Sequence, residues 1–423
     1  MQMLIIKNVR ILDPASATDM TGDISIENGK IKTIGSVKAG KEDQILDGSG
    51  LIAAPGLVDT HVHFRDPGLT YKEDIYTGAH AAAAGGFTSV VCMANTKPVG
   101  DNVDTVSYVV EKGKKTNIHV YTTAAVTKSF DGKNLTDFQA LLQAGAIGFT
   151  DDGIPIKDAG TVKAAMEMAA ALDVPISLHE EDPELIVSPG VNQGKVSEKL
   201  HYGGAPARSE YEMVRRDCEL ALQTRARTVI QHISSAESVE AVRQCWKKGG
   251  RIYGEVTPQH FSATEDLVLE KGALARVNPP LRTETDRQAI IEGLKDGTLN
   301  IIATDHAPHS REEKAKDLKD APSGMIGLET SLALGITNLV KTGELELMDL
   351  LEKMTINPAM LYHLNAGRLT EGGPADLVLF DPEKKWVVEE QFYSKASNSP
   401  FIGMELTGQV QYTICGGKVI FER

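Results

Sequence analysis

At 423 residues the chain is too long for one ordinary domain and suits a barrel with an accessory domain. Its 41% hydrophobic and 24% charged residues are a globular balance with enough apolar material for a large core. The formal net charge of -14 argues against a nucleic-acid or anionic-membrane partner, which would need a basic face, but not against a small acidic substrate held by local cations.

The N-terminal Met-Gln-Met-Leu-Ile-Ile-Lys stretch lacks the charged-then-apolar layout of a signal peptide. No segment approaches the ~20 apolar residues of a membrane span. Strand-like pieces follow at 4–6, 23–27, 30–34 and 44–47, with Asn28-Gly29 as a hairpin turn. The C-terminal pieces at 377–380, 409–415 and 418–421 are similar, with Gly416-Gly417 as a turn. Two β-rich ends predict one small β-sandwich made from residues 1–53 and 367–423; two separate appendages are the alternative. Between them, 54–366 alternates strand and helix. Strands are predicted at 52–59, 88–93, 118–124, 146–150, 175–179, 228–232, 251–256 and 300–305. Helices are predicted at 103–114, 135–144, 158–172, 209–224, 236–248 and 285–296, and the small-residue run 78–86 reads as a tightly packed helix start. Eight alternating strands predict an α/β fold, a (β/α)8 TIM-like barrel whose active site lies at the C-terminal strand ends. Connections 180–207 and 306–328 would hang over that face as lid or binding loops. Cys92, Cys218, Cys245 and Cys415 form no Cys-x-x-Cys pair and read as reduced thiols of a cytoplasmic protein.

The strand ends carry the chemistry. His61-Val-His63 closes the first strand, and residues two apart share a face, so both imidazoles point the same way. His179, His232 and Asp305-His306 close later strands. A lone histidine is usually a hydrogen-bonded structural residue; repetition at strand ends describes a metal centre with nitrogen and oxygen ligands. Two divalent ions can share one water and lower its pKa to about 7, given an anionic bridge. Thr150-Asp151-Asp152-Gly153 offers that bridge. Alternation lets only one aspartate face inward, and the pattern leaves open which. Lys157, if carboxylated, is the alternative, although it lies beyond the strand end. Asp305 suits a proton carrier, base then acid, or a mere loop cap. Arg65 shares the face of the histidine pair and suits a substrate carboxylate better than a surface ion pair. Asn95 and Asn278 could read a polar ring or carboxylate, or be turn residues.

His61-Val-His63-Phe-Arg65, Met93-Ala-Asn95-Thr, Phe149-Thr-Asp-Asp-Gly, Glu255-Val-Thr-Pro, Val277-Asn278-Pro-Pro-Leu, Ala303-Thr-Asp305-His-Ala-Pro-His309 and Gly327-Leu-Glu-Thr together resemble class I dihydroorotase of the amidohydrolase superfamily. The resemblance covers nearly the whole chain. Asp-His-Ala-Pro-His and Asn-Pro-Pro-Leu are far more specific than His-x-His. It implies two zinc ions per subunit: His61, His63 and Asp305 on one, His179 and His232 on the other, and Asp152 as the bridge. Arg65, Asn95 and His309 would meet the substrate carboxylate. His63, Asn278, Ser323 and Gly324 complete the substrate contacts. The implied reaction is reversible cyclisation of N-carbamoyl-L-aspartate to L-dihydroorotate plus water in pyrimidine (UMP) biosynthesis. A zinc-bridging hydroxide attacks in the hydrolytic direction and Asp305 moves the proton. The resemblance also carries a homodimer and, as in some relatives, association with aspartate carbamoyltransferase; the residues themselves leave both open. Departures are Asp66 for a usual Glu, Ala94 for a Pro, Glu180 for a Cys and Ser323 for an aromatic, none of which removes a ligand. Rival readings are a dihydropyrimidinase, hydantoinase or allantoinase, which usually bridge through carboxylated lysine, and a catalytically silent scaffold, which should lack ligands that are all present here.

Overall fold

The computed structural model describes residues 2–423. Eight short parallel strands form the central barrel: Leu57–Val62, Phe87–Cys92, His119–Thr122, Phe149–Thr150, Pro175–Leu178, Arg227–Ile230, Ile252–Val256 and Leu299–Ile302. Val- and Ile-rich runs such as Arg227–Ile230 are buried along their length, as parallel strands covered on both faces must be. Consecutive strands pair in parallel register within two sheets. Parallel bridges Ala124–Phe149 and Val62–His306 join these sheets into a ring. Backbone bonds mark both seams: Ala124 N donates to Gly148 O at 2.9 Å, and His63 N to His306 O at 2.9 Å.

Helices follow the predicted order, among them Val103–Gly113, Ala159–Ala171, Arg208–Thr224, Ala236–Lys247 and Glu284–Lys295. The small-residue run at 78–86 ends a helix rather than starting one. Helix Ile75–Ala84 begins at Asp74, whose carboxylate accepts from Tyr76 N at 2.9 Å and Thr77 N at 3.0 Å. Gly86, at φ +88, then turns the chain out of it. Among the described residues no helix is long and apolar enough to cross a membrane.

Both ends of the chain meet in one eight-stranded sheet beside the barrel. Its order runs Lys418–Glu422, Glu405–Cys415, Leu377–Val387, Ile52–Pro55, Leu4–Asp13, Thr18–Glu27 and Lys30–Gly35, with Gln44–Asp47 paired to Leu4–Asp13. Leu4, Ile6, Ile11, Ile24, Leu377 and Ile414 give it a separate hydrophobic core. The fold is thus an α/β barrel joined to a small β-sandwich formed from both ends of the chain.

The strand expected over 52–59 is two strands in different sheets. Ile52–Pro55 pairs antiparallel with Leu377–Val387 and parallel with Leu4–Asp13, whereas Leu57–Val62 opens the barrel. Gly56 is the pivot. Its N–H donates to Asp376 O at 2.9 Å, the last tie to the terminal sheet; Leu57 N donates to Gly86 O at 3.0 Å, the first tie to the barrel. A side chain at this junction would run into Thr88, whose Cβ lies 2.7 Å from where a Cβ of residue 56 would sit. Pattern reading merged the two strands because both are apolar and a single glycine separates them.

Gly56→Ala is therefore expected to cost about 1–3 kcal/mol of stability through overpacking. Thr88→Ala in the same protein should restore only part of it, since residue 88 keeps its Cβ. Denaturant unfolding of wild type, the single variant and the double variant checks this. Unchanged stability in Gly56→Ala would show that the junction does not constrain the two sheets.

Candidate metal centre

The barrel brings the strand-end residues to one buried spot. Each histidine has one ring nitrogen held by a protein oxygen or turned toward another imidazole. Glu255, from the seventh strand, places Oε1 2.8 Å from His61 Nδ1 and also accepts from His232 N at 3.2 Å. His61 Nε2 then faces inward, buried and without a hydrogen-bond partner among the described residues. His63 Nδ1 meets Asn95 Oδ1 at 2.9 Å, which turns its Nε2 to Asp305 Oδ1 at 2.9 Å. Glu181 Oε2 lies 3.3 Å from His179 Nε2, so His179 Nδ1 faces His232 Nε2 at 3.0 Å. A ring nitrogen bonded to an acceptor carries the proton and leaves a lone pair on the other nitrogen.

Asp152 sits among these nitrogens. One or other of its oxygens is 3.3 Å from His61 Nε2, 3.5 Å from His63 Nε2, and 3.9 Å from both His179 Nδ1 and His232 Nε2. Asn95 Nδ2 steadies it, donating to Asp152 Oδ2 at 3.0 Å. Asp151 turns away and binds the 126–127 loop, accepting from Val126 N at 2.8 Å, Thr127 N at 3.0 Å and the Thr127 hydroxyl. Lys157 is half-exposed and pairs with Glu184 outside this spot. Of the three groups the pattern left open, Asp152 alone reaches the imidazoles.

The donor set fits divalent cations. His61, Asp152 and His232, and again His61, His63 and Asp305, bring ligand atoms within 4.8 Å of one another, all buried. Burial opposes charge on both sides, but the facing partners outweigh it: Asp152 and Asp305 are held below their usual range and the His61 and His179 imidazoles above theirs, so a bound cation would displace ring protons and free the inward lone pairs. Burial, with His179 and His61 alongside, keeps His232 neutral, as a ligand must be. Buried carboxylates, inward lone pairs and an orphaned ring nitrogen make a nitrogen and oxygen cage for a first-row metal.

Arg65, Asn95, Asn278, His309, Ser323 and Gly324 line the same cavity of about 200 Å³. Arg65 Nε donates to Pro308 O at 3.2 Å, and its Nη2 is 3.4 Å from His309 Nε2. His309 Nε2 donates to Ser323 O at 2.9 Å, and its Nδ1 accepts from Lys72 Nζ at 3.2 Å. Burial and the cations Arg65 and Lys72 push the His309 pKa down to about 3, so its ring stays neutral. Asn278 Oδ1 is buried with no hydrogen-bond partner among the described residues. A larger cavity of about 660 Å³, beside His119, Tyr121 and Ile420, holds none of these groups.

Sequence reading assigned no part to Glu255, Glu181 or Asp59. Asp59 accepts from His61 N at 3.0 Å, from Thr304 N at 3.2 Å and from the Thr304 hydroxyl at 2.6 Å, stitching the first strand to the eighth. Burial pushes its pKa up to about 7. The period-two run Asp59-x-His61-x-His63 was the available signal.

The amidohydrolase family model matches residues 52–420. The chain is 56% identical over 420 residues to the dihydroorotase of Clostridioides difficile (strain 630), covering 99% of this chain and 100% of that one. It is 55% identical over 419 residues to the dihydroorotase of Lactococcus lactis subsp. lactis (strain IL1403), covering 99% of each. The solved L-hydantoinase (dihydropyrimidinase) from Arthrobacter aurescens aligns over 100% of this chain and 96% of its own, with TM-score 0.88 and 27% identity. The dihydropyrimidinase from Brevibacillus agri NCHU1002 shares the fold at TM-score 0.85 and 22% identity, over 100% and 95% of the two chains.

Asp152→Ala is expected to lose bound metal and activity together, and Lys157→Ala to keep both. Metal analysis of the purified variants checks the pair. Retained metal in Asp152→Ala, or loss in Lys157→Ala, would reverse the assignment. Glu255→Gln should weaken metal affinity by roughly 10–100-fold, the scale for removing the carboxylate behind a metal-bound histidine.

Proposed function

The chain belongs to the amidohydrolase family, and from that premise we propose that its pocket interconverts N-carbamoyl-L-aspartate and L-dihydroorotate, closing or opening the ring with loss or gain of water. This is the dihydroorotase step of pyrimidine biosynthesis, and full-length identity above 50% to dihydroorotases supports it. The carrying observation is that Arg65 and His309 flank the histidine and aspartate cage within one cavity. A dihydroorotate ring differs from a plain dihydropyrimidine by its carboxylate, and the half-buried guanidinium of Arg65 is suited to that difference.

The proposed cofactor is two zinc ions per subunit. His61, His63 and Asp305 would hold one, His179 and His232 the other, and Asp152 would face both. Zinc there supplies Lewis acidity toward an amide carbonyl and lowers the pKa of a water to about 7.

The chain's own groups then divide the work. Arg65 and Asn95 grip the carboxylate, and the neutral His309 joins them by turning its one N–H from Ser323 O to it, which fixes the ring against the cage. The Asn278 oxygen takes a ring N–H, and the backbone at Ser323–Gly324 closes the other edge. In hydrolysis Asp305 accepts the proton of the attacking water and delivers it to the ring nitrogen as the C–N bond breaks. In cyclisation it takes the proton from the ureido nitrogen and gives it to the departing oxygen. His63 Nε2 and Asp305 Oδ1, 2.9 Å apart, would both turn to the same ion, which would hold that carboxylate beside the reacting atoms. Lys157 pairs with Glu184 outside the cavity, which leaves a carboxylated-lysine bridge, and with it a hydantoinase-type reading, without support.

The reading takes the catalytic barrel to run from Leu57 to residue 366 and residues 1–55 with 367–423 to form the sandwich, which moves the boundary expected at 53/54 to the Gly56 pivot. It extends to a homodimer, to association with aspartate carbamoyltransferase and to a cytoplasmic location. The first two rest on the family resemblance, the last on the four free cysteines.

Asp305→Asn should keep its metal and lose turnover by ~100-fold or more, the scale of a general acid and base; kcat with metal content measures this, and near wild-type turnover would remove Asp305 from the role. Arg65→Met should lose dihydroorotate hydrolysis by orders of magnitude in kcat/KM with metal unchanged, since a buried carboxylate would lack its partner, a penalty of a few kcal/mol, on the order of 2–5. Dihydrouracil hydrolysis, measured in parallel, should barely change. A parallel fall in both activities would mean that Arg65 supports the site rather than reading the carboxylate.

A further inference from the structure

After the eighth strand the 306–328 segment leaves the pocket and returns to it with Ser323 and Gly324. The return is tied by Lys314, the last residue of the short helix Arg311–Lys314. Its Nζ donates to Pro322 O at 2.9 Å and to Gly324 O at 3.0 Å, the carbonyls on either side of Ser323. The side chain is only 7% exposed, and it makes no ion pair among the described residues. Its neighbour Glu313 is engaged elsewhere, 2.9 Å from Lys72 Nζ and 3.0 Å from Tyr71 Oη.

Other groups complete the clasp. Arg276 Nη1 donates to Leu318 O at 2.5 Å, to Lys319 O at 3.0 Å and to Ala321 O, while Arg276 O accepts from Gly324 N at 2.9 Å. Asn398 Nδ2 donates to Ala307 O at 3.0 Å and Gly324 O at 3.1 Å. The Ser323–Gly324 return is therefore held by cations and an amide on backbone carbonyls, while the carboxylate of Glu313 ties the front of the segment to Lys72 and Tyr71. A buried ammonium without an anion is costly, and a site that keeps one must supply it with acceptors.

We propose that Lys314 is a positioning residue for the cyclic-amide substrate: its two bonds set the Ser323–Gly324 turn at the ring edge of the pocket. This rests on the dihydroorotase reading. Lys314 acts through the turn, and the chemistry at the metal cage is untouched, so its loss weakens substrate binding more than the chemical step.

The protonation of Lys314 supplies a readout of its own. Burial, with Arg276 across the loop, pushes its pKa down to about 7, and Glu313 opposes this. The other charged and titratable groups nearby are His309, with Lys72 and Arg65 behind it, and Asp320 near Arg276. Below that pH both bonds are charge-assisted; above it they come from a neutral amine and weaken.

The test measures kcat and KM for dihydroorotate from pH 6 to 9 in wild type, Lys314→Met and Lys314→Arg, with metal content and with hydrogen exchange of residues 315–325. Expected for Lys314→Met is a KM raised about tenfold or more, kcat within roughly threefold, unchanged metal and faster exchange confined to that segment. Lys314→Arg should recover most of the binding, and wild-type KM should rise across pH 7 relative to this variant, whose charge does not titrate. Unchanged KM in Lys314→Met, or a fall in kcat with KM unchanged, overturns the proposal. If wild type fails to turn over dihydroorotate, the substrate reading fails separately; hydrogen exchange then decides the clasp, and unchanged protection of 315–325 in Lys314→Met overturns it.

Discussion

Closure of the barrel between its first and eighth strands is the constraint on which the metal cage depends. Asp59 and Thr304 lock the two strands side by side, and His63 N bonds to His306 O just beyond. Only this closure carries His63 to within hydrogen-bonding distance of Asp305, 242 residues later in the chain. With the seam in place, strand alternation sends His61 and His63 to one side of it and Asp305 to the other. The other ligand-type residues, Asp152, His179 and His232, arrive from the fourth, fifth and sixth strands around the same rim, the rim at which barrel enzymes place their chemistry.

The cage also sets a charge problem that protein atoms only partly solve. Asp152, Asp305 and Glu255 lie buried against imidazoles. Carboxylates removed from water are stable only beside positive charge or several donors. Glu255 spends its interaction on orienting His61, and Asn95 gives one amide hydrogen to Asp152. What remains is negative potential and inward lone pairs at one point. On the substrate side the balance reverses. Arg65, Lys72, Lys314 and Arg276 form a cationic wall whose members bond mostly to carbonyls and to His309 rather than to acids, although Lys72 also pairs with Glu313. An acidic chain of net charge -14 thus keeps Arg65 in its pocket and further basic side chains behind it, a placement that net charge alone would not suggest.

Much of this was readable in the sequence. Every ligand-type residue stands at or just past a strand end, and strand periodicity is a local property. What escaped was whatever depends on register or on distant partners. Glu255 and Glu181 are ordinary acids until the barrel sets them behind His61 and His179. Asp59 reads as one more polar residue in a strand until Thr304 lies opposite. Asp151 and Asp152 are indistinguishable by pattern, and only the loop at 126–127 claims one of them. Asn95 was read as a substrate contact; its hydrogen bonds to His63 and Asp152 also make it a brace for the cage. The strand break at Gly56 was missed because two apolar runs in different sheets look like one.

The terminal sheet sets the order in which the molecule can be completed. Ile52–Pro55 lies between Leu4–Asp13 and Leu377–Val387, so an early strand waits for a partner translated only after the barrel strands. At roughly 5–20 residues per second the ribosome takes tens of seconds to supply it. Throughout that interval the nascent chain carries an unpaired edge with apolar residues, a template for association with other chains. The sandwich is finished only after the whole barrel has been translated. Crowding, chaperone supply and translation rate therefore bear on the yield of folded molecules through this one seam, far from the pocket and without touching its chemistry.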